Sequence, residues 1–183
     1  MGPAYLLTGR PGVGKTTCLR RTLELLGRPA GGFFTEEVRR QGTRVGFALV
    51  PLDARRAMLA EAGRRGGPRV GKYGVDLDAL ARVGVPAIRE AVRAGRLVVI
   101  DEIGKMEMAS DAFRAAVEEA LRSEVPILGT ILAAPHPWAD RIKAHPAVTL
   151  VEVTLANRDA LTLRARRSHR ASTPGSGPSL RAA

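Results

Sequence analysis

The chain has 183 residues, 45% apolar and 26% charged, with a formal net charge of +11. That length supports one domain with a sizeable core, and the composition excludes a disordered or fibrous chain. No run approaches the roughly 20 apolar residues of a membrane span; the single cysteine, Cys18, excludes an internal disulfide; and without a basic-then-apolar leader segment the expected location is cytoplasmic.

Ala4 to Thr8 is a short apolar strand ending at Gly9. From Gly14 the pattern turns helical, with Leu19, Leu23 and Leu26 on one stripe, until Gly27 and Pro29 stop it. Cys18 falls on this helix and reads as a small buried apolar group. Phe33–Arg39 and Arg44–Val50 read as two strands joined by a turn at Gly42, a hairpin. Residues 61–76, "EAGRRGGPRVGKYGVD", are glycine-rich and basic and read as a loop.

Pro86 suits the first turn of a helix reaching Ala94, with Ile88, Ala91 and Val92 inward and Gly95 as the stop. "RLVVI" is a fully apolar strand, as expected when both faces are covered. Ser110 or Asp111 can cap a helix whose apolar pairs are Ala112/Phe113, Ala116/Val117 and Ala120/Leu121. "VPILGTIL" and "VTLVEVTL" supply two more strands, and Asn157 can cap a last helix near residues 158–168. The expected fold class is α/β: a mostly parallel sheet with helices on both faces and an inserted β-hairpin. One domain is expected over residues 1–168, followed by a disordered basic tail, 169–183.

Nearly all the positive charge is arginine; lysine occurs only at Lys15, Lys72, Lys105 and Lys143. A basic surface can attract nucleic acid. No basic face interleaved with aromatics is visible, so the bias reads as compositional and nucleic acid is not the favoured partner.

Gly9-Arg10-Pro11-Gly12-Val13-Gly14-Lys15-Thr16 fits G-x-x-x-x-G-K-[ST] without a mismatch, between a strand and a helix. Such a loop turns its backbone N–H groups inward onto phosphate oxygens, and the helix adds the positive end of its dipole. Lys15 would reach the β- and γ-phosphates, and the Thr16 hydroxyl would ligate Mg²⁺. The partner acid should lie at the end of another buried strand. "LVVIDEIGKME" supplies Asp101 for the metal at the sheet's carboxyl edge. Glu102 beside it can take a proton from water or orient it, which points to hydrolysis. Asp101-Glu102-Ile103-Gly104 also spells the D-x-x-G of GTPases. The guanine-reading N-K-x-D has only Asn157-Arg158-Asp159-Ala160 to match it, which argues against strict guanine selectivity.

Taken in order, "GRPGVGKTT", "GGFFTEEVR" with "RVGF", "VGKYGVD", "DEIGKMEM" and "ANRD" resemble the P-loop nucleoside-triphosphatase family that includes the cancer-related nucleoside-triphosphatase and its small thermophilic relatives. The resemblance runs from Leu6 to Asp159. It implies slow, Mg²⁺-dependent hydrolysis of ATP, GTP and other nucleoside triphosphates. It also implies a P-loop fold of the branch with an extra strand between the cradle strand and the acid strand. By position it puts Gly12, Gly14, Lys15, Thr16 and Thr17 on phosphates and metal, and Asp101 and Glu102 on metal and water. Lys105 could approach the γ-phosphate. Arg158 could stack on the base while Asn157 caps a helix; stacking would tolerate any base. Strand alternation puts Thr35, Glu37 and Arg39 on one face and Glu36 on the other. Tyr73 could cover the nucleotide or anchor a loop.

Two other readings compete with hydrolysis. A kinase could use Arg64, Arg65, Arg69 and Lys72 as a basic lid and pass the γ-phosphate to a nucleoside, small molecule or RNA end. A nucleotide-dependent switch could bind nucleic acid through Arg164, Arg166, Arg167 and Arg170. Among His136, His145 and His169 no titrating base stands out; the first two lie beside prolines and are expected in surface loops. No Cys/His cluster points to zinc. Oligomeric state stays open.

Overall fold

In the computed structural model, residues 1–52 and 55–161 are described. The proposed tail, the end of the last helix, His169 and the arginines from 164 onward lie outside them.

The strands are β1 (Ala4–Thr8), β2 (Ala30–Arg40), β3 (Thr43–Pro51), β4 (Ala57–Ala62), β5 (Arg69–Val70), β6 (Tyr73–Val75), β7 (Leu97–Ile103), β8 (Ile127–Ile131) and β9 (Val148–Glu152). They form a single sheet in the order β5-β6-β4-β3-β2-β7-β8-β1-β9. β2, β7, β8, β1 and β9 run parallel, and β3, β4, β6 and β5 continue the sheet antiparallel beyond β2. β8 therefore stands between the cradle strand β1 and the acid strand β7, the arrangement that the resemblance implies.

The helices are α1 (Lys15–Leu26), α2 (Leu77–Ala79), α3 (Val85–Arg93), α4 (Asp111–Arg122) and α5 (Pro137–Lys143). Alternate residues of the parallel strands feed two cores. On one face Leu6, Phe33, Val98 and Ile100 pack with Ile88 of α3, Phe113 of α4 and Trp138 of α5. On the other, Leu7, Phe34 and Val99 pack with Cys18 and Leu19 of α1. Layers on both faces follow from strands with consecutive buried apolar residues, as in Leu97–Ile100 of β7. Among the described residues no helix is long and apolar enough to cross a membrane.

Ser110 is the residue that caps α4, its Oγ accepting from Phe113 N at 3.2 Å. Phe113, Ala116, Val117, Ala120 and Leu121 face the core, while Ala112 is exposed. Three expectations need correction. Residues 61–76 are not a plain loop: they contain the end of β4 and the β5–β6 hairpin. Buried Tyr73 and Val75 give that hairpin an apolar anchor which the surrounding glycines obscured.

The helix near Pro86 begins earlier, in α2 and a π-helical turn over Leu80–Gly84 that leads directly into α3. Asp76 caps its start by accepting from Ala79 N at 2.9 Å. The wide turn, Val85 N–H to Leu80 O, stands just ahead of the proline that has no N–H to give. Finally, His136 and His145 are half-buried rather than free surface groups. His136 caps α5 through Nδ1, which accepts from Ala139 N, and His145 Nδ1 accepts from Ala147 N.

Candidate active site

Parallel strands end at one edge, and their register decides which residues meet there. Leu7 pairs with Thr130, Ile100 with Gly129, and Phe34 with Asp101. The loop after β1 thus opens beside Thr130, Asp101 and Thr35. Gly14 ends that loop at φ +103°, a left-handed conformation that glycine adopts without strain, and hands the chain to α1. Lys15, the first helical residue, folds back so that its Nζ lies 3.2 Å from Gly9 O and 3.4 Å from Arg10 O. Arg10 and Pro11 are exposed, Pro11 on the side that lines the cleft, and Val13 is buried beneath the loop.

Asp101 is only 2% exposed. Its Oδ1 accepts from Thr130 Oγ1 at 2.7 Å. Its Oδ2 is sealed from solvent and has no hydrogen-bond partner among the described residues. Burial raises its carboxyl above the ordinary range; the Thr130 and Thr16 hydroxyls, then Arg20 and Lys15, pull it back. Glu102 is half-buried and also raised, first by burial and further by Asp101, with Lys15 opposing.

Glu107 is a third carboxyl here. It is 4% exposed, and burial together with the neighbouring charges of Glu102 and Asp101 pushes it up to about 8, although the N–H groups of Glu107 and Gly104 donate to it. Gly104 lets these acids approach. A Cβ there would fall 2.9 Å from Glu107 Oε2 and 3.5 Å from Glu102 Cδ.

The cleft has a volume of about 590 Å³. Its middle is Gly12, Gly14, Lys15, Thr16, Asp101 and Glu102, with Thr17, Lys105 and Glu107 adjoining. Its far wall is Thr35 and Glu37 of β2, Arg44 and Phe47 of β3, and Val70 of β5. Arg44 is held by two contacts: Nε to Tyr73 Oη at 2.9 Å and Nη1 to Glu37 Oε1 at 2.7 Å. The other Glu37 oxygen accepts from Arg39 Nη2 at 2.6 Å; Arg44 first, and then Arg39, keep the Glu37 carboxyl below its usual value. Glu36 points to the opposite face, where Arg20 of α1 binds it at 2.7 Å.

At the other end of the row, Asn157 closes the turn after β9. Its Oδ1 accepts from Thr154 N at 2.8 Å and its Nδ2 donates to Glu152 O at 2.9 Å. Arg158 lies against the phosphate loop, with Nη1 3.5 Å from Val13 O. Neither residue lines the cleft.

A family model described as "NTPase" matches residues 4–165. The chain belongs to this NTPase family. Among curated NTPase relatives, the nucleoside-triphosphatase THEP1 of Thermofilum pendens is 48% identical over 164 residues, spanning 86% of this chain and 90% of that protein. THEP1 of Thermotoga petrophila is 44% identical over 156 residues, spanning 85% and 87%. Two solved NTPase structures superpose with a TM-score of 0.79. The crystal structure of THEP1 from Aquifex aeolicus is 34% identical, covering 88% of this chain and 95% of its own. The solution structure of a human cancer-related nucleoside triphosphatase is 37% identical, covering 95% and 100%.

Within this NTPase the glycine loop, Lys15, Thr16, Thr17, Asp101, Glu102 and Lys105 converge on one cleft. Asn157 and Arg158 stand apart from it, and Asn157 does not cap the last helix: Thr154 Oγ1 accepts from Asn157 N instead. Tyr73 is an anchor, buried edge-on against Phe47 with 5.2 Å between centroids. Glu107 and the Arg44–Glu37 pair escape sequence reasoning. The only sequence signal for Glu107 is a lone acid inside the short apolar turn "KMEM".

Proposed function

We propose that this NTPase hydrolyses nucleoside triphosphates to diphosphate and phosphate in a Mg²⁺-dependent reaction with broad base tolerance. The observation that carries it is the meeting of Lys15, Asp101 and Glu102 in one cleft. The relatives named nucleoside-triphosphatase support the same reaction.

The donor set fits magnesium. Asp101 Oδ2 is a buried carboxylate oxygen without a partner, beside the Thr16 hydroxyl. One carboxylate and one hydroxyl, with phosphate oxygens completing the shell, is how this hard cation is usually bound. When bound, Mg²⁺ would offset charge on the β- and γ-phosphates. The loop N–H groups from Gly12 to Thr17 would bind the phosphates, helped by the helix terminus. Lys15 would exchange its carbonyl contacts for phosphate oxygens. Glu102, raised by burial, is a base nearer neutrality than an exposed carboxylate and would take the proton of the attacking water. Lys105 would approach the γ-phosphate from the same loop. Arg158, beyond the phosphate loop from Asp101, would lie along the nucleoside and stack without reading base edges.

The test is phosphate release from ATP, GTP, CTP and UTP, with Mg²⁺ and with EDTA. Release from all four with Mg²⁺ alone is expected. Glu102→Gln should lower kcat by about 10²–10⁴-fold while nucleotide still binds; parental turnover in that variant would overturn the role given to Glu102.

A further inference from the structure

The cleft extends from the phosphate loop past the paired acids to β2, β3 and β5. Read along the carboxyl edge, the sheet order runs β9, β1, β8, β7, β2, β3. Arg158 follows β9, the phosphate loop follows β1, Asp101 ends β7, and Thr35, Glu37, Arg44 and Phe47 come from β2 and β3. If the nucleoside lies on the Arg158 side, as proposed above, the terminal phosphate points toward β2. The space bounded by Thr35, Glu37, Arg44, Phe47 and Val70 then opens just past it.

That space is built rather than incidental. Arg44 is fixed by Tyr73 and Glu37, and its guanidinium lies 5.3 Å from the Phe47 ring centroid. Arg44 and Glu37, the two charged residues that line this end, offset each other, and Arg39 holds the second Glu37 oxygen from outside the lining. Phe47 and Val70 add apolar surface. Thr35 Oγ1 is buried with no hydrogen-bond partner among the described residues. A buried hydroxyl without a partner is unfavourable, and a ligand hydroxyl would relieve it. Phe34 is the Cα partner of Asp101, so Thr35 stands on the strand next to the acid, one step beyond the paired position.

We infer that the β2–β3 end of the cleft is a second substrate site, which binds a neutral molecule bearing a flat ring and hydroxyl groups, of the nucleoside type, and presents a hydroxyl to the γ-phosphate. This inference rests on the nucleotide placement proposed above. The acceptor oxygen forms a bond to the γ-phosphorus. The bond from that phosphorus to the β,γ-bridging oxygen breaks, its electron pair leaving on the diphosphate. The hydroxyl proton passes to Glu102. The products are a nucleoside diphosphate and a phosphomonoester, and water is the competing acceptor when the second site is empty.

The full chain is incubated with Mg²⁺ and γ-³²P-labelled ATP, with and without millimolar adenosine, guanosine, cytidine or uridine, and labelled products are separated. In parallel, each nucleoside is titrated calorimetrically into protein saturated with a β,γ-imido ATP analogue and Mg²⁺. At least one nucleoside should bind the loaded protein and gain label. Arg44→Ala should lower its labelling more than tenfold and weaken its binding, and Arg44→Lys should restore part of both. Label only on inorganic phosphate, with no nucleoside bound, overturns the second site but leaves hydrolysis standing. Binding without label transfer overturns the acceptor role. No label released to any product, with ATP still bound, overturns hydrolysis instead.

Discussion

Replacing Glu107 by Gln should stabilise the protein at alkaline pH and leave it unchanged in acid. The parental side chain is buried beside Asp101 and Glu102, and its folded value stands near 8 against an ordinary value of 4.5. A raised folded value means that the folded state holds a proton which the unfolded chain releases. Stability from this group is therefore complete below about pH 4.5 and falls as pH rises, until both states are ionised above about pH 8. At 1.36 kcal/mol per pH unit the ceiling is about 5 kcal/mol, and relaxation around the charge brings the expected loss to about 2–4 kcal/mol. Glutamine keeps an acceptor for the Gly104 N–H and carries no charge at any pH. The assay is urea unfolding of parent and variant in EDTA from pH 4 to pH 9. The two free energies should coincide near pH 4 and separate by about 2–4 kcal/mol at pH 9, with Gln more stable. Asp101 and Glu102 titrate in both proteins, so the difference between the curves reports position 107 together with its coupling to these two carboxyls. Parallel curves, or a variant weaker at pH 9, would refute the claim that Glu107 is driven into burial against its charge.

Two other outcomes follow from the edge geometry. Thr130→Val keeps side-chain shape but removes the 2.7 Å hydrogen bond to Asp101 Oδ1, so the Mg²⁺ concentration for half-maximal turnover should rise by about tenfold or more, measured by titrating metal at saturating ATP. Arg158→Ala should raise KM for all four nucleoside triphosphates by about 2–30-fold with kcat little changed, because stacking acts on the ground state and the transition state alike.

The parallel half of the fold was legible because its central strands carry apolar runs, as Leu97–Ile100 does, and because α1, α3 and α4 carry a local stop or cap at Gly27, Gly95 and Ser110. The phosphate loop and the Asp101–Glu102 pair were legible for a related reason: their chemistry requires contiguous residues in a fixed context. The antiparallel flank was not. β5 has two residues, and it belongs to the sheet only through pairing with β6, so no periodicity within it could announce a strand. α5 was missed because His136, half-buried, serves as its cap, a task the sequence normally signals with Ser, Thr, Asp or Asn. Glu107 and Arg44 were missed because their partners lie elsewhere in the chain; Arg44 meets Tyr73, 29 positions away.

The same distinction separates two kinds of acid in one loop. Asp101 and Glu102 end a strand, and their position at the carboxyl edge follows from a parallel sheet alone. Glu107 is brought back toward them by the turn that starts at Gly104, a residue without a side chain to separate the carboxyls. The strand-end pair faces the cleft with Lys15 close enough to favour the charged form of each. The neighbouring charges of Glu102 and Asp101 both raise Glu107. Glu107 therefore holds its own proton near neutrality, whereas Asp101 presents an Oδ2 without a hydrogen-bond partner among the described residues, the state that suits a metal ligand.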